Sequence, residues 1–264
     1  MLELINISKT FNPGTINETK ALCRVNLHLK PGDFVTVIGS NGAGKSTMLN
    51  AVAGVWPVDE GAVIIDGVNV TGQPEHKRAA YIGRVFQDPM LGTAPDMQIE
   101  ENLALALRRG KRRGLRWEIS NAERQNYKEQ LSSFGLGLED RLTAKVGLLS
   151  GGQRQALTLL MATIQKPKLL LLDEHTAALD PATAAKVLEL SDKLIAENSL
   201  TAMMITHNMT DAIRHGTRLV MMHEGRIILD VEGEEKQKLT KADLMDKFAE
   251  LSGSALESDE ILLT

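Results

Sequence analysis

Hydrophobic and polar residues alternate with a period of two in residues 2–4 and 25–29, whereas residues 34–39 and 62–67 are short, mainly apolar runs. The alternation predicts β-strands, because successive strand side chains point to opposite faces of a sheet. The two apolar runs are predicted to be strands as well. After Gly39 the period becomes helical: Met48, Leu49 and Val52 fall on one face, and Gly54 is typical of a helix end.

The rest of the chain divides into two patterns. Between residues 88 and 149 the apolar density falls and charged residues dominate, which predicts a helical insertion with a small core of its own. From residue 150 helices and strands alternate again. The first segment is a helix with Leu157, Leu160, Met161 and Ile164 on one face, and a strand over 169–172 follows it. The next helix begins at Pro181 and is capped by Asp180. A strand that ends at His207 and a hairpin that turns at Glu224 and Gly225 complete the order. This order predicts an α/β fold with a mainly parallel sheet.

Composition and charge exclude several classes of protein. The chain has 264 residues, 43% of them apolar, so it is long enough to bury a large core. Its formal net charge of −4 gives no overall attraction to nucleic acid. Cys23 is the only cysteine and cannot form an intrachain disulfide. The sequence has no secretory signal pattern and no apolar run of about 18 residues, the length that spans a bilayer. We therefore expect any role at a membrane to require a membrane-embedded partner.

The segment GSNGAGKST stands between an apolar strand and an amphipathic helix, the setting in which the pattern G-x-x-x-x-G-K-[ST] binds phosphate. Its residues are Gly39, Ser40, Asn41, Gly42, Ala43, Gly44, Lys45, Ser46 and Thr47. Backbone N–H groups of such a loop converge on an anion at the positive end of the helix. Lys45 is predicted to reach the β- and γ-phosphates of a nucleotide, and the Ser46 hydroxyl to ligate Mg²⁺. The alternative is a glycine-rich turn that only opens a helix.

Two adjacent carboxylates follow the apolar run LLLL. Asp173 is predicted to hold Mg²⁺ from the end of a strand that neighbours the phosphate loop. Glu174 comes next, and because successive strand residues point to opposite sides, we assign it a different task. That task is to place the attacking water, as general base or as the group that orients it. A pair of solvated acids at a strand end is the alternative.

The segment LLSGGQRQAL, residues 148–157, lies between the phosphate loop and these acids. It closely resembles the signature sequence of the ATP-binding cassette (ABC) ATPases, and the resemblance extends over residues 2 to about 232. This resemblance implies the P-loop NTPase fold of an ABC cassette: a mainly parallel sheet as core, an N-terminal antiparallel β part and a helical subdomain. It also implies that the chain binds and hydrolyses ATP together with Mg²⁺.

The resemblance implies roles for residues outside the phosphate loop. Phe11 matches the aromatic residue that stacks on adenine, with a core phenylalanine as the alternative. Gln87 matches the glutamine that senses Mg²⁺ and the γ-phosphate, and His207 matches the strand-end histidine at the γ-phosphate. Asp180 matches a loop that crosses to a partner subunit, whereas His175, where many relatives have proline, is interpreted as a variant beside the site. The metal candidates are thus Ser46, Gln87 and Asp173, and the catalytic candidates are Lys45, Gln87, Glu174 and His207.

The signature residues imply a site shared between two chains. Family members bind ATP between two cassettes arranged head to tail. The signature of one chain then closes over the γ-phosphate that Lys45 of the other chain holds. The signature residues concerned are Ser150, Gly151, Gly152 and Gln153. Since the sequence has one phosphate loop and one signature, a homodimer in the ATP-bound state is the simplest closed arrangement, and a heterodimer with a different cassette is the alternative.

The spacing and number of the motifs exclude several branches of the ABC ATPases. Lys45 and Ser150 lie 105 residues apart, which leaves no room for the long coiled coil of the chromosome-maintenance branch. The sequence holds no second cassette, and a single cysteine excludes the zinc modules of the nucleotide-excision branch. We therefore expect a stand-alone cassette that energises transport through a separate integral membrane permease. The alternative is a soluble ABC ATPase with a regulatory or nucleic-acid-linked role.

Two longer segments, LLLLDEHTAALDP and HEGRIILDV, resemble a branch of bacterial importers. The partners in that branch are a permease and a lipoprotein binding component, and part of the branch is associated with tryptophan or related small solutes. The resemblance implies import, an extracytoplasmic substrate-binding protein, no nucleic-acid partner, and a peripheral position at the cytoplasmic face of the inner membrane. The cargo and the direction of transport rest on the resemblance alone.

The basic run at residues 108–116 is the main local charge feature. It carries six positive charges, so the rest of the chain carries −10. We predict that these side chains face anionic lipid headgroups or the permease. A solvated loop between helices and a nucleic-acid contact are the alternatives.

The motifs predict three parts of the chain. Residues 1–87 and 158–235 form an ATP-binding α/β core, residues 88–157 a helical signature subdomain, and residues 236–264 a helical tail. Thr240 and Asp243 resemble a capping box at the start of the tail helix. Its apolar face holds Leu244, Phe248 and Leu251, and it is predicted to pack on the core, with a twin subunit as the alternative surface.

Overall fold

The computed structural model describes residues 1–110 and 119–252. The strands in these ranges are β1 (Leu2–Phe11), β2 (Thr19–Leu29), β3 (Phe34–Gly39), β4 (Glu60–Ile65), β5 (Val68–Asn69), β6 (Ile82–Val85), β7 (Leu169–Asp173), β8 (Thr201–Ile205), β9 (Arg218–His223) and β10 (Arg226–Glu232). The helices are α1 (Lys45–Ala53), α2 (Glu75–Arg78), α3 (Ile99–Leu107), α4 (Asn121–Ser132), α5 (Gly151–Thr163), α6 (Pro181–Glu197), α7 (Met209–Arg214), α8 (Gly233–Lys238) and α9 (Lys241–Ser252).

The larger sheet has the strand order β10-β9-β3-β8-β7-β6. Its strands from β9 to β6 are parallel to one another, whereas β10 returns antiparallel to β9. The four leucines of β7 are completely buried: Leu169 and Leu171 pack on the side of α1, and Leu170 and Leu172 on the side of α6. Leucine on both faces suits β7 to the interior of a parallel sheet that helices cover on each side.

The smaller sheet, of order β2-β1-β4-β5, is antiparallel throughout. Leu2, Leu4 and Ile7 of β1 are buried in the same cluster as Met48 and Leu49 of α1. Because leucines of β7 join this cluster as well, α1 is packed between the two sheets. The position of its first turn is therefore fixed by the core on both sides.

The chain between β6 and β7 folds as helices with a cluster of their own. Ile99 and Leu103 of α3 pack there against Tyr127 and Leu131 of α4. The apolar face predicted for α5 completes the cluster, since it includes Leu157, Leu160, Met161 and Ile164. α5 runs on to Thr163, so the boundary predicted at residue 157 falls inside a helix that serves both parts.

The tail helix α9 packs on the core of its own chain. Leu244 and Phe248 are buried in a cluster with residues of α7 and β9, and the Phe248 ring meets the edge of His223 at a centroid distance of 5.3 Å. At the start of α9 the Thr240 backbone N–H donates to the Asp243 carboxylate at 2.8 Å, and the Asp243 N–H donates back to the Thr240 hydroxyl at 3.2 Å. The capping box is therefore present, while the predicted contact of Leu251 lies outside the described side chains.

The predicted α/β class is confirmed, with a mainly parallel sheet, an antiparallel N-terminal part and a helical part. Gly54 ends α1 in the left-handed conformation at φ 83°, and Glu224 and Gly225 form the hairpin turn with φ of 46° and 73°. None of the helices in the described ranges has the length and apolarity that crossing a bilayer would take. Residues 111–116 of the basic run lie outside the described part, so the prediction about that run remains a prediction.

Candidate functional site

The phosphate loop ends β3 and leads into the first turn of α1. Gly44 holds the position before the helix at φ 99°, and a side chain there would overlap the carbonyl oxygen of Ala21. Glycine has no side chain with which to cap a helix, so the first backbone N–H groups of α1 remain available. These donors stand at the positive end of the helix dipole, and the loop is therefore suited to an anion such as phosphate.

Lys45 points back into this loop. Its side chain is almost fully buried, and the ammonium donates to the carbonyl oxygens of Gly39 at 2.7 Å and Ser40 at 3.0 Å. Burial lowers the pKa of Lys45, and the nearby Glu174 carboxylate partly offsets this effect. A phosphate in the loop would give the buried ammonium a partner of opposite charge. Such a partner stabilises a buried charge more than an exposed one.

Asp173 is the last residue of β7, and its side chain is 16% exposed. The structure corrects one prediction: β8 lies between β3 and β7, so Asp173 is two strands away from the phosphate loop and not on the neighbouring strand. The sequence did not indicate this, because β8 follows β7 along the chain but lies between β3 and β7 in the sheet. Burial raises the pKa of Asp173, and the charge and hydrogen bond of Arg84 oppose that rise.

Glu174 leaves the strand in a different direction. Its φ of 44° is left-handed, and its N–H donates to the carbonyl oxygen of Ile205 at 3.1 Å. The carboxylate reaches to 3.7 Å from Nδ1 of His207, which stands two residues beyond β8. The two acids therefore have different neighbours, because the backbone turns at Glu174 as well as because strand residues alternate.

His175 is buried, whereas the two acids that precede it are only partly buried. Its ring is 2% exposed, and Nε2 is 3.0 Å from the hydroxyl of Ser191 on α6. Ser191 donates its own proton to the carbonyl oxygen of Val187 at 2.9 Å, so the His175 Nε2 carries the hydrogen and donates to Ser191. Burial lowers the pKa of His175 to about 4, with the charge of His215 adding to this and that of Asp192 opposing it.

The signature segment begins α5. The hydroxyl of Ser150 accepts from the N–H of Gln153 at 3.3 Å, and the side chain of Gln153 accepts from the N–H of Ser150 at 3.2 Å. Ser150 and Gly151 are exposed, whereas Gly152 is buried against α6, where a Cβ atom would overlap the Thr183 methyl group. Small size at this glycine is therefore required by the packing of α5 on α6.

The structure does not bring the signature to the phosphate loop. Ser150, Gly152 and Gln153 instead line a cavity of about 510 Å³ with residues of α6 and of the turn after α4. Within the described ranges, no hydrogen bond joins these three residues to the phosphate loop, Asp173 or Glu174. One chain therefore holds two separate groups of predicted site residues.

Three other predicted residues occupy defined positions. The half-buried Phe11 packs its ring edge to face with Trp56, at a centroid distance of 5.0 Å. Gln87 is exposed two residues after β6, at the same edge of the sheet as Asp173. Asp180 caps α6 by accepting from the N–H of Thr183 at 3.1 Å. Hydrogen bonds from the side chain and then the backbone of Thr183 lower the pKa of its exposed carboxyl.

A groove of about 640 Å³ lies between the sheet edge at β6 and the helices α3 and α5. We call it the insertion groove. Leu91, 71% exposed, and Leu105, 40% exposed, line it, together with Phe86 next to Gln87. Arg108 and Arg109 from the start of the basic run line it too, and Arg108 pairs with Glu123 at 2.9 Å.

Three residues near the site were not predicted. Arg84 contacts Asp173, Asn50 contacts Arg84, and Gln155 donates to the carbonyl oxygen of Phe86 at 3.3 Å. A charged residue inside the buried strand β6 was a signal for Arg84, because arginine is rarely buried without a partner. Asn50 and Gln155 lie on helices whose polar positions carry no such signal.

Comparison with known proteins gives consistent similarities. The model of the family described as ABC transporter matches residues 22–177. The tyrosine transport ATP-binding protein of Clostridioides difficile is 44% identical over 253 residues, 94% of this chain and 98% of that protein. The phosphonates import ATP-binding protein of Bacillus anthracis is 30% identical over 266 residues, 99% and 98% of the two chains.

The fold also matches solved structures. A dimeric ATP-binding cassette in a post-hydrolysis state, bound to ADP and phosphate, superimposes with a TM-score of 0.74 at 32% identity. The match covers 88% of this chain and 98% of the cassette.

Proposed function

This chain belongs to the ABC transporter family, and from that premise we propose that it is the subunit that binds and hydrolyses ATP to drive a small solute into the cell through a separate permease. The observation that carries the proposal is the combination of an uncapped phosphate loop with two acids at the same edge of the parallel sheet. Each acid has its own neighbour, Arg84 for Asp173 and His207 for Glu174. This arrangement suits a nucleotide with a metal ion on one side and a reacting water on the other.

In the binding step, the N–H groups of α1 and the Lys45 ammonium hold the β- and γ-phosphates. The residues present fit Mg²⁺, because an exposed hydroxyl at Ser46 and a single carboxylate at Asp173 leave most ligand positions to phosphate and water, as this ion prefers. When bound, Mg²⁺ would neutralise charge on the phosphates, and Gln87 would be its third protein neighbour. Phe11, supported by Trp56, would offer a face to adenine.

In the hydrolytic step, Glu174 orients the attacking water and accepts its proton. Its backbone is fixed by the hydrogen bond to Ile205 and by the buried His175 that follows it. His207, 3.7 Å from the Glu174 carboxylate, is placed to contact the γ-phosphate. Catalysis would therefore depend on placement of these two side chains more than on their basicity.

A second copy of the chain would complete the site. Ser150, Gly151, Gly152 and Gln153 lie away from the phosphate loop of their own chain, and the hydroxyl of Ser150, which accepts from Gln153, keeps its proton free to donate to an anion. We propose a homodimer in the ATP-bound state, in which this signature closes over the γ-phosphate held by the other chain. The exposed Asp180 would stand at that interface.

The insertion groove is the surface we propose for the permease. It offers exposed leucines, it adjoins Gln87, and its α5 wall carries the signature at its other end. A permease segment in this groove would therefore contact Phe86, next to Gln87, and the helix that begins with the signature. We propose a peripheral position at the cytoplasmic face of the plasma membrane, and the division into residues 1–87 with 158–235, 88–157 and 236–264.

The cargo is set by partners of the chain. Because the relative from Clostridioides difficile is named for tyrosine transport, we propose an aromatic amino acid or a related small solute, delivered by an extracytoplasmic substrate-binding protein. The alternative of a soluble regulatory or nucleic-acid-linked ATPase is not favoured, because the relatives described above are named as transport or import ATP-binding proteins.

Affinity purification from membranes in mild detergent tests the proposal. We expect a multi-span membrane protein to copurify, and ATP turnover by the complex to rise when the binding protein is supplied with tyrosine or tryptophan. Copurification of nucleic acid, with turnover that nucleic acid stimulates and no membrane subunit, would favour the alternative.

A further inference from the structure

The guanidinium of Arg84 stands at the junction of α1, α2 and β7. Its Nη2 donates to Oδ1 of Asn50 at 2.8 Å and to Oδ2 of Asp173 at 3.3 Å. Its Nη1 is 3.8 Å from the carboxylate of Glu75, and its Cζ lies over the ring of Phe86 at 4.6 Å from the centroid. The side chain is 13% exposed, so these contacts hold the guanidinium in one place.

Asn50 extends this contact to the first turn of α1. Its Nδ2 donates to the carbonyl oxygen of Ser46 at 2.8 Å, while its Oδ1 accepts from Arg84. Both ends of the amide have a partner, which fixes its orientation. A continuous set of hydrogen bonds therefore runs from Ser46 through Asn50 and Arg84 to Asp173. It ends at the backbone carbonyl oxygen of Ser46 and at the carboxylate of Asp173, the two residues whose side chains we assign to Mg²⁺.

A second buried arginine shows what a purely structural contact looks like. The Arg78 side chain, 2% exposed, donates from Nε, Nη1 and Nη2 to backbone carbonyl oxygens of Gln73, Ala51, Val52 and Thr71 at 2.7 to 2.9 Å. Arg84 differs, because its buried Nε has no hydrogen-bond partner within the described residues. A buried donor without a partner lowers the stability of the fold. Hydrogen bonding within the fold therefore does not by itself explain why an arginine occupies this site.

We propose that Arg84 is a positioning residue that holds the Asp173 carboxylate ready for Mg²⁺. The inference rests on the proposed role of Asp173 as a metal ligand. Arg84 occupies Oδ2 and leaves Oδ1 to the metal, and in the described part of the chain it is the only side chain that hydrogen-bonds to Asp173. Fixing a ligand before the metal arrives removes the entropic cost of ordering it on binding.

The test compares ADP binding in the presence of Mg²⁺ with ADP binding in EDTA, both by titration calorimetry on the purified chain. Arg84→Met should lower the affinity for ADP with Mg²⁺ about tenfold, as loss of a residue that orients a metal ligand does. The affinity in EDTA should stay unchanged, because no role in holding phosphate is assigned to Arg84. Equal loss in both conditions would indicate a structural role and overturn the proposal, as would no change or a gain with Mg²⁺.

Three further variants make the result specific. Glu75→Gln removes the 3.8 Å contact on the far side of Arg84 and should behave as the parent protein in both conditions. Arg84→Lys keeps the charge but loses the planar guanidinium that lies over Phe86 and aims Nη2 at Asn50 and Asp173. It should therefore lose part of the Mg²⁺-dependent affinity, and it carries the test if Arg84→Met does not fold. Asp173→Asn should abolish the Mg²⁺ effect. If Asp173→Asn keeps the Mg²⁺ effect, the proposed role of Asp173 as a metal ligand is wrong. If Asp173→Asn abolishes the Mg²⁺ effect and both Arg84 variants bind ADP as the parent protein does, only the positioning role of Arg84 is wrong.

Discussion

The two helix N-termini of the candidate site differ in how their backbone donors are used. α1 begins after Gly44, which cannot cap it, and the Lys45 ammonium lies inside the loop on carbonyl oxygens. α5 begins after Ser150, whose hydroxyl caps the helix in a reciprocal pair with Gln153. An uncapped helix end can surround an anion with backbone donors, whereas a capped end can only offer its exposed hydroxyl and first N–H groups.

This difference assigns the two segments to two kinds of contact. The α1 end is suited to hold a nucleotide within one chain, and the α5 end to close over a nucleotide that is already held. Lys45 should therefore govern binding by the single chain, while Ser150 and Gly152 should govern association of two chains. Substitutions in the two segments should therefore separate nucleotide binding from association.

The largest effect is expected at Glu174. Glu174→Gln keeps the shape and the left-handed backbone turn but removes the carboxylate, so kcat for ATP should fall about 10²- to 10⁴-fold. ATP binding should persist and trap the dimer, which gel filtration with ATP would show as a doubled mass. Turnover near the parent rate would falsify the role assigned to this carboxylate.

Lys45→Ala should weaken nucleotide binding by the single chain about 10- to 100-fold, because a charge-assisted hydrogen bond to phosphate is lost. Titration with ADP measures it. Ser150→Asp is the matched variant on the other helix: aspartate also caps helices, so α5 should persist, but its charge would repel the γ-phosphate. This variant should bind ADP as the parent chain does and fail to dimerise with ATP, and weakened ADP binding would contradict the division of tasks.

Gly152→Ala should disturb the signature by forcing a methyl group into Thr183, at a cost of about 1–3 kcal/mol for overpacking. We expect weaker ATP-dependent dimerisation without loss of ADP binding. Gly72→Ala provides the control, because a Cβ atom there meets no other atom within 4 Å and the residue lies outside the proposed site. Equal effects of the two substitutions on dimerisation would show that packing on α6 does not position the signature.

The smallest effect on activity at neutral pH is expected at His175, which connects the Glu174 turn to α6. Because burial lowers its pKa in the folded protein to about 4 from 6.5, the unfolded state binds the proton first as pH falls. The stabilisation is thus complete above pH 6.5 and is lost towards pH 4, at up to about 1.4 kcal/mol per pH unit. His175→Gln should flatten this part of the stability curve in urea unfolding, and His76→Gln, at an exposed position, should not. An unchanged slope in His175→Gln would contradict the assignment.

Much of this architecture was predictable from sequence because its signals are local. The alternation in β1, the glycine at the end of α1, the cap at Asp180 and the hairpin turn at Glu224 each depend on a few neighbouring residues. The phosphate loop and the signature are likewise continuous segments whose residue types dictate their local conformation.

The remaining features depend on which helices and strands lie next to each other in the fold. The sequence did not show that β8 separates β3 from β7, that His175 would be buried on α6, or that Arg84 and Asn50 would meet Asp173. Residues far apart in the chain form these contacts, and no short pattern encodes them. The separation of the signature from the phosphate loop is of the same kind, and it is the observation from which we propose a second chain.

Mixing two inactive variants tests the shared site most directly. Lys45→Ala lacks a working phosphate loop and Ser150→Asp lacks a working signature, so each alone should hydrolyse almost no ATP. In a mixed dimer, one site combines the intact loop of one chain with the intact signature of the other. We predict that an equimolar mixture recovers about a quarter of the parent activity, since half of the dimers form one such site. A mixture as inactive as its components would contradict the account.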